Sequence, residues 1–479
     1  MLRLPLFARG LTSLTALLSL TAAACSGPGP RPDAGADGAN DGAADSGARD
    51  DVAPSMDARA DAADRDGQSG DDAGDSGAAD DSATRDDVVS SDSAGTPVDR
   101  DFCSSGAAVP GLAAPPGFCV RKYSDVRVAR VMALAPNGDL FVAAPTNANA
   151  TGISGGPGSI VVLHDDERDG VIEETVFTTG VANVHGIVFS GGFLYWTNDR
   201  LVERTPYVSG QRRETAGARQ LVIGGPVPDG MGGMIEDPLA AQLQRGGRQT
   251  HGLAASPSGR MFVTRGEYSS CVLGPGGVQA VGTGEVYNLG MHSLTRAIHG
   301  FRNPMYARCH FARELCMVAE LGEDQTTGAV EKLLVIPSAS QWFGYPCCHR
   351  RGVGPQAASG ACNDVQQEAV SINLGDTPFG FDWERGRWPA PYRNGVFVAL
   401  HGSFYTGNFG GSGVVFLPTD PATGIPRQQA PIPFLATTNG QPTRSLQRPT
   451  DVVFAPDGRM FVSDDYGGGI YMVAPIFTR

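Results

Sequence analysis

A short apolar run, a tight turn and a second apolar run recur six times between Met132 and Val462 of this chain. The copies are Met132 to Val142, turning at Asn137-Gly138; Gly186 to Trp196, turning at Gly191-Gly192; and Gly252 to Val263, turning at Ser258-Gly259. Tyr306 to Val318 turns at Arg313-Glu314, Phe379 to Val398 carries an insertion, and Asp451 to Val462 turns at Asp457-Gly458. Dipeptides such as Asn-Gly and Asp-Gly between alternating apolar residues are hairpin signals, because their backbone twist matches that of the flanking strands. A lone hairpin cannot bury its own apolar faces, but a ring of such sheets can. The pattern predicts an all-β chain closed into a six-bladed β-propeller. A string of sandwich domains fits less well, since no linker separates the copies, and helix-period segments are nearly absent. Cys119 to Tyr123 is expected to complete the last blade beside Gly469 to Val473.

The first hundred residues do not take part in this pattern. Arg3 and Arg9 precede an apolar run from Leu11 to Leu20, and Ala22-Ala23-Ala24 then lead to Cys25. This is the charged, apolar, small-residue order of an export signal, and a Cys at its end resembles a bacterial lipobox. Residues 1–25 are therefore expected to be a lipoprotein-type signal peptide, with Cys25 lipidated. Export to the bacterial cell envelope, anchored by lipid at the outer membrane or cell surface, follows as an expectation.

Residues 26–100 are Asp, Ala, Gly and Ser with six Arg and nineteen Asp, so they hold nearly all of the chain's net charge of −14. Such a segment cannot bury enough apolar surface to fold and is expected to be a disordered acidic linker. Its 75 residues would span about 50 Å as a flexible coil. The folded part, residues 101–479, is left nearly neutral, so the acidic balance says nothing about its ligand; no nucleic-acid partner is expected. No later stretch is long and apolar enough for a membrane helix.

Eight of the nine Cys lie beyond Asp101, and an even number in an exported chain favours disulfides. Cys103 with Cys119 and Cys309 with Cys316 are the nearest pairings, and Cys362 suits either Cys347 or Cys348. Cys347-Cys348-His349 lacks the spacing for covalent haem, and a zinc site would need further ligands. Asn149-Ala-Thr151 has the form of a glycan acceptor, idle in a bacterial protein.

Polar residues stand where a propeller gathers its loops at one mouth: His185, His251, Arg302 and Asn303, His401, and Arg448, each beside a different copy. Gly300-Phe-Arg-Asn-Pro304 reads as a rigid loop presenting a cation next to an amide, a pair suited to an anionic, oxygen-rich planar ligand.

In these stretches the chain resembles the soluble quinoprotein sugar dehydrogenases, the glucose and sorbosone dehydrogenase family. The matching segments are Pro115-Pro-Gly-Phe118, His251-Gly252, Gly300-Phe-Arg-Asn-Pro304, Glu320-Leu-Gly322, Phe343-Gly-Tyr-Pro346 with Cys348-His349, Tyr392-Arg-Asn394, His401-Gly-Ser403, and Arg448-Pro-Thr-Asp451 with Ser463-Asp-Asp-Tyr466. The resemblance implies a six-bladed propeller that binds pyrroloquinoline quinone (PQQ) and calcium (Ca2+), oxidises a sugar hydroxyl and passes electrons to an external acceptor. It makes His251 the base and places Arg302 and Asn303 against the quinone oxygens. Arg448 would face a cofactor carboxylate, His185 and His401 would be further cofactor contacts, and the backbone carbonyls of Gly322 and Glu323 would face calcium. The chain departs from the family at Leu321, at Val330-Glu331, at Thr450, and at His401 where glucose-oxidising members carry Lys.

Two other function classes are compatible with the same residues. One is a propeller that has lost the cofactor and serves as a cell-surface binding module. The other is a calcium-dependent lactone or ester hydrolase, which would need Glu320, Asp451 and Asp464 to form a carboxylate cluster in the channel. The segments 200–248 and 350–376 are expected to shape the mouth.

Overall fold

A computed structural model of the chain describes residues 102–104, 109–144, 158–167, 170–244, 251–267, 271–274, 277–279, 283–324, 326–338, 340–402, 413–437, 448–466 and 469–476. The chain divides into units Met1–Val89 and Ser90–Arg479, and every described residue lies in the second. The signal, Cys25, the acidic linker and Asn149-Ala-Thr151 lie outside the described residues.

Six sheets form the propeller. Blade one holds Met132–Leu134, Leu140–Ala144, Ser159–His164 and Glu173–Thr179, and blade two holds Gly186–Ser190, Phe193–Thr197, Val202–Pro206 and Gln220–Ile223. Blade three holds Leu253–Ala255, Met261–Arg265, Gly284–Gly290 and Ser293–Phe301; blade four holds Asn303–Cys309, Cys316–Leu321, Glu331–Val335 and Val370–Ile372. Blade five holds Pro378–Trp383, Val396–Leu400, Gly413–Leu417 and Ile432–Thr437, with Leu112–Ala113 added at its outer edge. Blade six holds Pro449–Phe454, Met460–Asp464, Gly469–Pro475 and Phe118–Ser124.

All six copies of the sequence repeat fall on the first two strands of a blade. The first strands contact one another in sequence order around the axis, and that of blade six contacts that of blade one, so the ring is closed. Blade six joins both ends of the folded part: Cys119 pairs with Ala474, Val120 with Val473 and Lys122 with Tyr471. The expected closing strand is therefore in place, and the Cys103–Cys119 disulfide ties it to the chain before it.

The hydrophobic core sits between blades. Blades five and six enclose Trp388, whose ring lies 4.7 Å from Phe118 and 5.0 Å from both Phe397 and Phe454. Removing such a buried indole costs about 3–5 kcal/mol. Because Phe118 comes from the closing strand, this cluster also holds the ring shut. At Gly252 a side chain would meet the Met305 carbonyl and the Ala307 amide at 2.8 Å. Only glycine lets the first strands of blades three and four approach this closely.

One expectation needs correction. Gly300 to Pro304 is not a loop: strand Ser293–Phe301 runs almost directly into strand Asn303–Cys309, with Arg302 alone between them. The Ser293–Phe301 strand escapes the repeat pattern because its polar, exposed residues lack the alternation. Within 200–248 a hairpin pairs Pro226–Pro228 with Met234–Glu236, followed by the short helix Pro238–Gln244. Among the described residues no helix is long and apolar enough to cross a membrane. Cys309 bonds Cys316, Cys348 takes Cys362, and Cys271 bonds Cys347 across 76 positions of sequence. No Cys in this set is left to bind zinc.

Candidate functional site

The first strand of every blade starts at one end of the ring, and antiparallel pairing returns the end of the second strand to that same end. His185, His251, Arg302 and Arg448 lie at strand starts. His401 is placed differently from the expectation. It follows the second strand of blade five, and it reaches the common end because Leu400 pairs with Pro378, the start of the first strand.

Blades one, five and six supply a buried network around Asp465. His401 Nε2 lies 3.2 Å from Asp465 Oδ1, and Arg448 Nη2 lies 3.2 Å from His401 Nδ1. Because guanidinium can only donate, His401 Nδ1 accepts and Nε2–H donates to the carboxylate, which assigns a neutral tautomer. Burial, which outweighs the nearby carboxylate, pushes this ring down to about 4. Asp465 also faces Arg130 Nε at 3.6 Å and Arg448 Nε at 4.0 Å. Burial works against its charge, but His401, Arg130 and Arg448 together hold the carboxyl below the usual range. The His401 ring is stacked on Phe379, 4.1 Å between centroids and 9° between planes.

Blades two and three supply the second cluster. His185 Nε2 lies 3.3 Å from Asp199 Oδ1, and Asn183 Nδ2 donates to Asp199 Oδ2 at 3.1 Å. Burial pushes His185 down to about 4. His251 is fully buried, with Nδ1 2.8 Å from the Thr264 carbonyl and Nε2 2.7 Å from the Asp199 carbonyl. Two carbonyls favour a charged ring, but burial prevails and lowers its pKa. As a neutral ring it has one N–H for two acceptors.

Blade four supplies the third. Arg302 donates from Nη1 to the Gly322 carbonyl and from Nη2 to Asp324 Oδ2, both at 2.6 Å, and its backbone N–H donates to Glu320 Oε1 at 2.8 Å. The Gly322 N–H donates to Glu331 Oε2 at 3.0 Å. Burial pushes Glu331 up to about 8 against two backbone donors. Asn303 Oδ1 and Glu320 Oε2 are buried and have no hydrogen-bond partner. Lys332 Nζ is 3.9 Å from that Glu320 oxygen, outside hydrogen-bonding reach.

The geometry tests the expected ligands residue by residue. The guanidinium groups of Arg130, Arg302 and Arg448 give this end the positive charge that an oxygen-rich anionic cofactor needs, and the unpartnered amide oxygen of Asn303 can accept from a donor hydrogen on it. Calcium does not fit the arrangement as it stands. The Gly322 carbonyl already accepts from a guanidinium, and among the described residues no group of three His, Cys, Asp or Glu could hold a metal. The carboxylates of the hydrolase reading do not converge. Asp451 accepts from Met132 N at 2.8 Å and Arg308 Nη2 at 2.9 Å, whereas Asp464 accepts from Arg448 N and Tyr466 N.

Arg130 and Asp199 are site residues that sequence reasoning did not single out, and Asp465 entered it only within the Ser463-Asp-Asp-Tyr466 segment, without a role. Arg130 had a signal, since it precedes the first strand of blade one as His185 and His251 precede theirs. Asp199 and Asp465 follow second strands, a position the repeat does not mark.

No protein-family model matches the sequence, and no curated protein matches it. Solved structures do match in fold. A carbohydrate-active enzyme of family AA12 from Trichoderma reesei, in its iodide structure, has 16% identity and a TM-score of 0.57, covering 76% of this chain and 98% of that one. The calcium structure of the AA12 enzyme from this organism has 15% identity and a TM-score of 0.56, covering 76% and 97%. A glucose dehydrogenase has 12% identity and a TM-score of 0.51, covering 75% and 99%. The chain thus shares the six-bladed propeller of these enzymes over nearly their whole length.

Proposed function

We propose that the chain is an exported quinoprotein that oxidises the hydroxyl of an aldose-like sugar and passes the electrons to an external acceptor. The observation that carries this reading is the convergence of His251, Arg302, Asn303, His401 and Arg448, from four blades, at one end of a closed propeller. The motif resemblance and the shared fold of sugar-oxidising enzymes support it, while fold alone does not assign chemistry.

When bound, pyrroloquinoline quinone would supply the acceptor for the hydride that leaves the sugar carbon. Arg302 and Asn303 would hold its oxygens, with the unpartnered Asn303 Oδ1 oriented toward any donor hydrogen there, and Arg448, kept in place by His401 and Asp465, would pair with a carboxylate. His185 would contact its edge. His251 would take the hydroxyl proton at Nε2, after releasing the Asp199 carbonyl, and a base of this kind contributes about 10² to 10⁴ in rate. Calcium at the Gly322 and Glu323 carbonyls would require Arg302 to turn away first, so no step is routed through it. Lipid attachment at Cys25 would place the domain at the envelope surface.

The reading is tested by titrating the purified chain with the quinone, with and without calcium, and following absorbance and sugar-dependent dye reduction. Saturable binding with reduction by aldoses supports it. A folded sample that binds no quinone favours instead a binding module, a reading that the occupied states of His251 Nε2 and the Arg302 guanidinium support. Anchoring is tested separately, by fatty-acid labelling of the cells, which should be lost in Cys25→Ala.

A further inference from the structure

The axial channel continues past the site just described. It encloses about 190 Å³ and runs between the first strands of all six blades, from His185 at one end to Phe311 and Arg385 at the other. Phe311 lies in the turn after the first strand of blade four and Arg385 just after that of blade five, so both stand at the end opposite His251. We propose that this far end is a second ligand site, for a small hydroxylated carboxylate held by Arg385.

Charge accounting singles out Arg385. The neighbouring carboxylate, Glu384, is taken up by four backbone N–H groups, those of Gly386, Arg387, Trp388 and Asn394, at 2.5 to 2.8 Å. Arg308, the other guanidinium in the channel, is paired with Asp451 at 2.9 Å and Asp382 at 3.9 Å. Both of those carboxylates also accept backbone N–H groups, from Met132 and Phe454 at 2.8 Å. Arg385 makes no hydrogen bond or ion pair among the described residues. Its Nε is buried without an acceptor, and its guanidinium lies over the Phe311 ring, 4.8 Å from the centroid. A planar guanidinium backed by an aromatic face and lacking an anion is matched by a carboxylate.

The walls and the volume define the rest of the ligand. Each first strand is paired on one side only, so its other edge faces the channel; Met132, Val452 and Phe454 already bond Arg308, Asp382 and Asp451 there, and the remaining amide and carbonyl groups of that edge can meet hydroxyls. A cavity of about 150 Å³ accepts benzene, so this one takes a molecule slightly larger than six heavy atoms. A three- or four-carbon hydroxy acid has that size, that charge and those hydroxyls. This site does not depend on the quinone reading.

The test uses the full chain with glycerate and its uncharged amide, glyceramide, followed by saturation-transfer NMR. The site predicts saturable glycerate binding, with glyceramide weaker by about tenfold or more, the loss expected for a charge-assisted pair. Arg385→Gln should lower glycerate to the glyceramide level without moving the ligand-free unfolding midpoint, and Arg385→Lys should restore part of it. Equal binding of acid and amide, or undiminished glycerate binding in a folded Arg385→Gln protein, would overturn the proposal.

Discussion

The Nε2 of His251 lies 2.7 Å from the backbone carbonyl of Asp199, while its Nδ1 lies 2.8 Å from that of Thr264. A neutral imidazole has one hydrogen for these two acceptors, so one contact sets two lone pairs face to face. The Asp199 turn is pinned by its side chain to His185 and Asn183, which makes the Thr264 bond the one a reacting ring can keep. Nitrogen-15 spectra of labelled histidine should show a neutral His251 at pH 7, in keeping with its lowered pKa. On addition of quinone and sugar, the Nε2 resonance alone should move. A charged ring at neutral pH would contradict this.

Asp465 is the carboxylate that His401, Arg130 and Arg448 share. Asp465→Asn removes this common counter-charge from buried cations, and breaking a buried pair of this kind typically costs about 3–5 kcal/mol. Urea denaturation should show that loss, whereas Asp457→Asn, at a partly exposed turn, should cost under about 1 kcal/mol.

The pH dependence of stability carries the mark of His401. Its folded pKa of about 4 lies below the ordinary 6.5, so the unfolded chain binds the proton first as pH falls. Stability due to this ring is thus complete above pH 6.5 and is lost progressively down to pH 4, by about 3 kcal/mol at 1.36 kcal/mol per unit. His401→Gln should flatten the stability curve in that window. His185 titrates in the same range but is common to both proteins, so the difference curve reports His401.

Gly300 has φ +92°, and a β-carbon there would lie 2.6 Å from Trp342 Cδ1 and 2.7 Å from the Phe343 amide. Gly259 has a similar φ of +83° with nothing within 4 Å. Gly259→Ala should cost about 1 kcal/mol from backbone strain alone. Gly300→Ala should cost at least about 2 kcal/mol more, because backbone must shift. Thermal unfolding of the two variants, compared side by side, checks this.

The Cys271–Cys347 bond closes a separation of 76 residues and Cys309–Cys316 one of 7. The loop-entropy relation predicts a loss of about 4.5 kcal/mol for removing the first and about 2.4 kcal/mol for the second. Paired Cys→Ser variants measured by denaturant titration should preserve that order.

The blade count, the inner hairpin of each blade and the closing strand were all legible in the sequence, since they rest on local alternation and turn chemistry. Asn137-Gly138 and Asp457-Gly458, for instance, mark their hairpins within a dozen residues of chain. The same locality explains why His185, His251, Arg302 and Arg448 were found, because each abuts a recognisable strand. Nothing local says that Arg130 and His401 meet on Asp465, that the Asp199 carbonyl covers His251, that Cys271 takes Cys347, or that Arg385 is left without an anion. These are relations between blades, set when the ring closes, and burial there is what turns ordinary polar side chains into neutral histidines and obligate ion pairs.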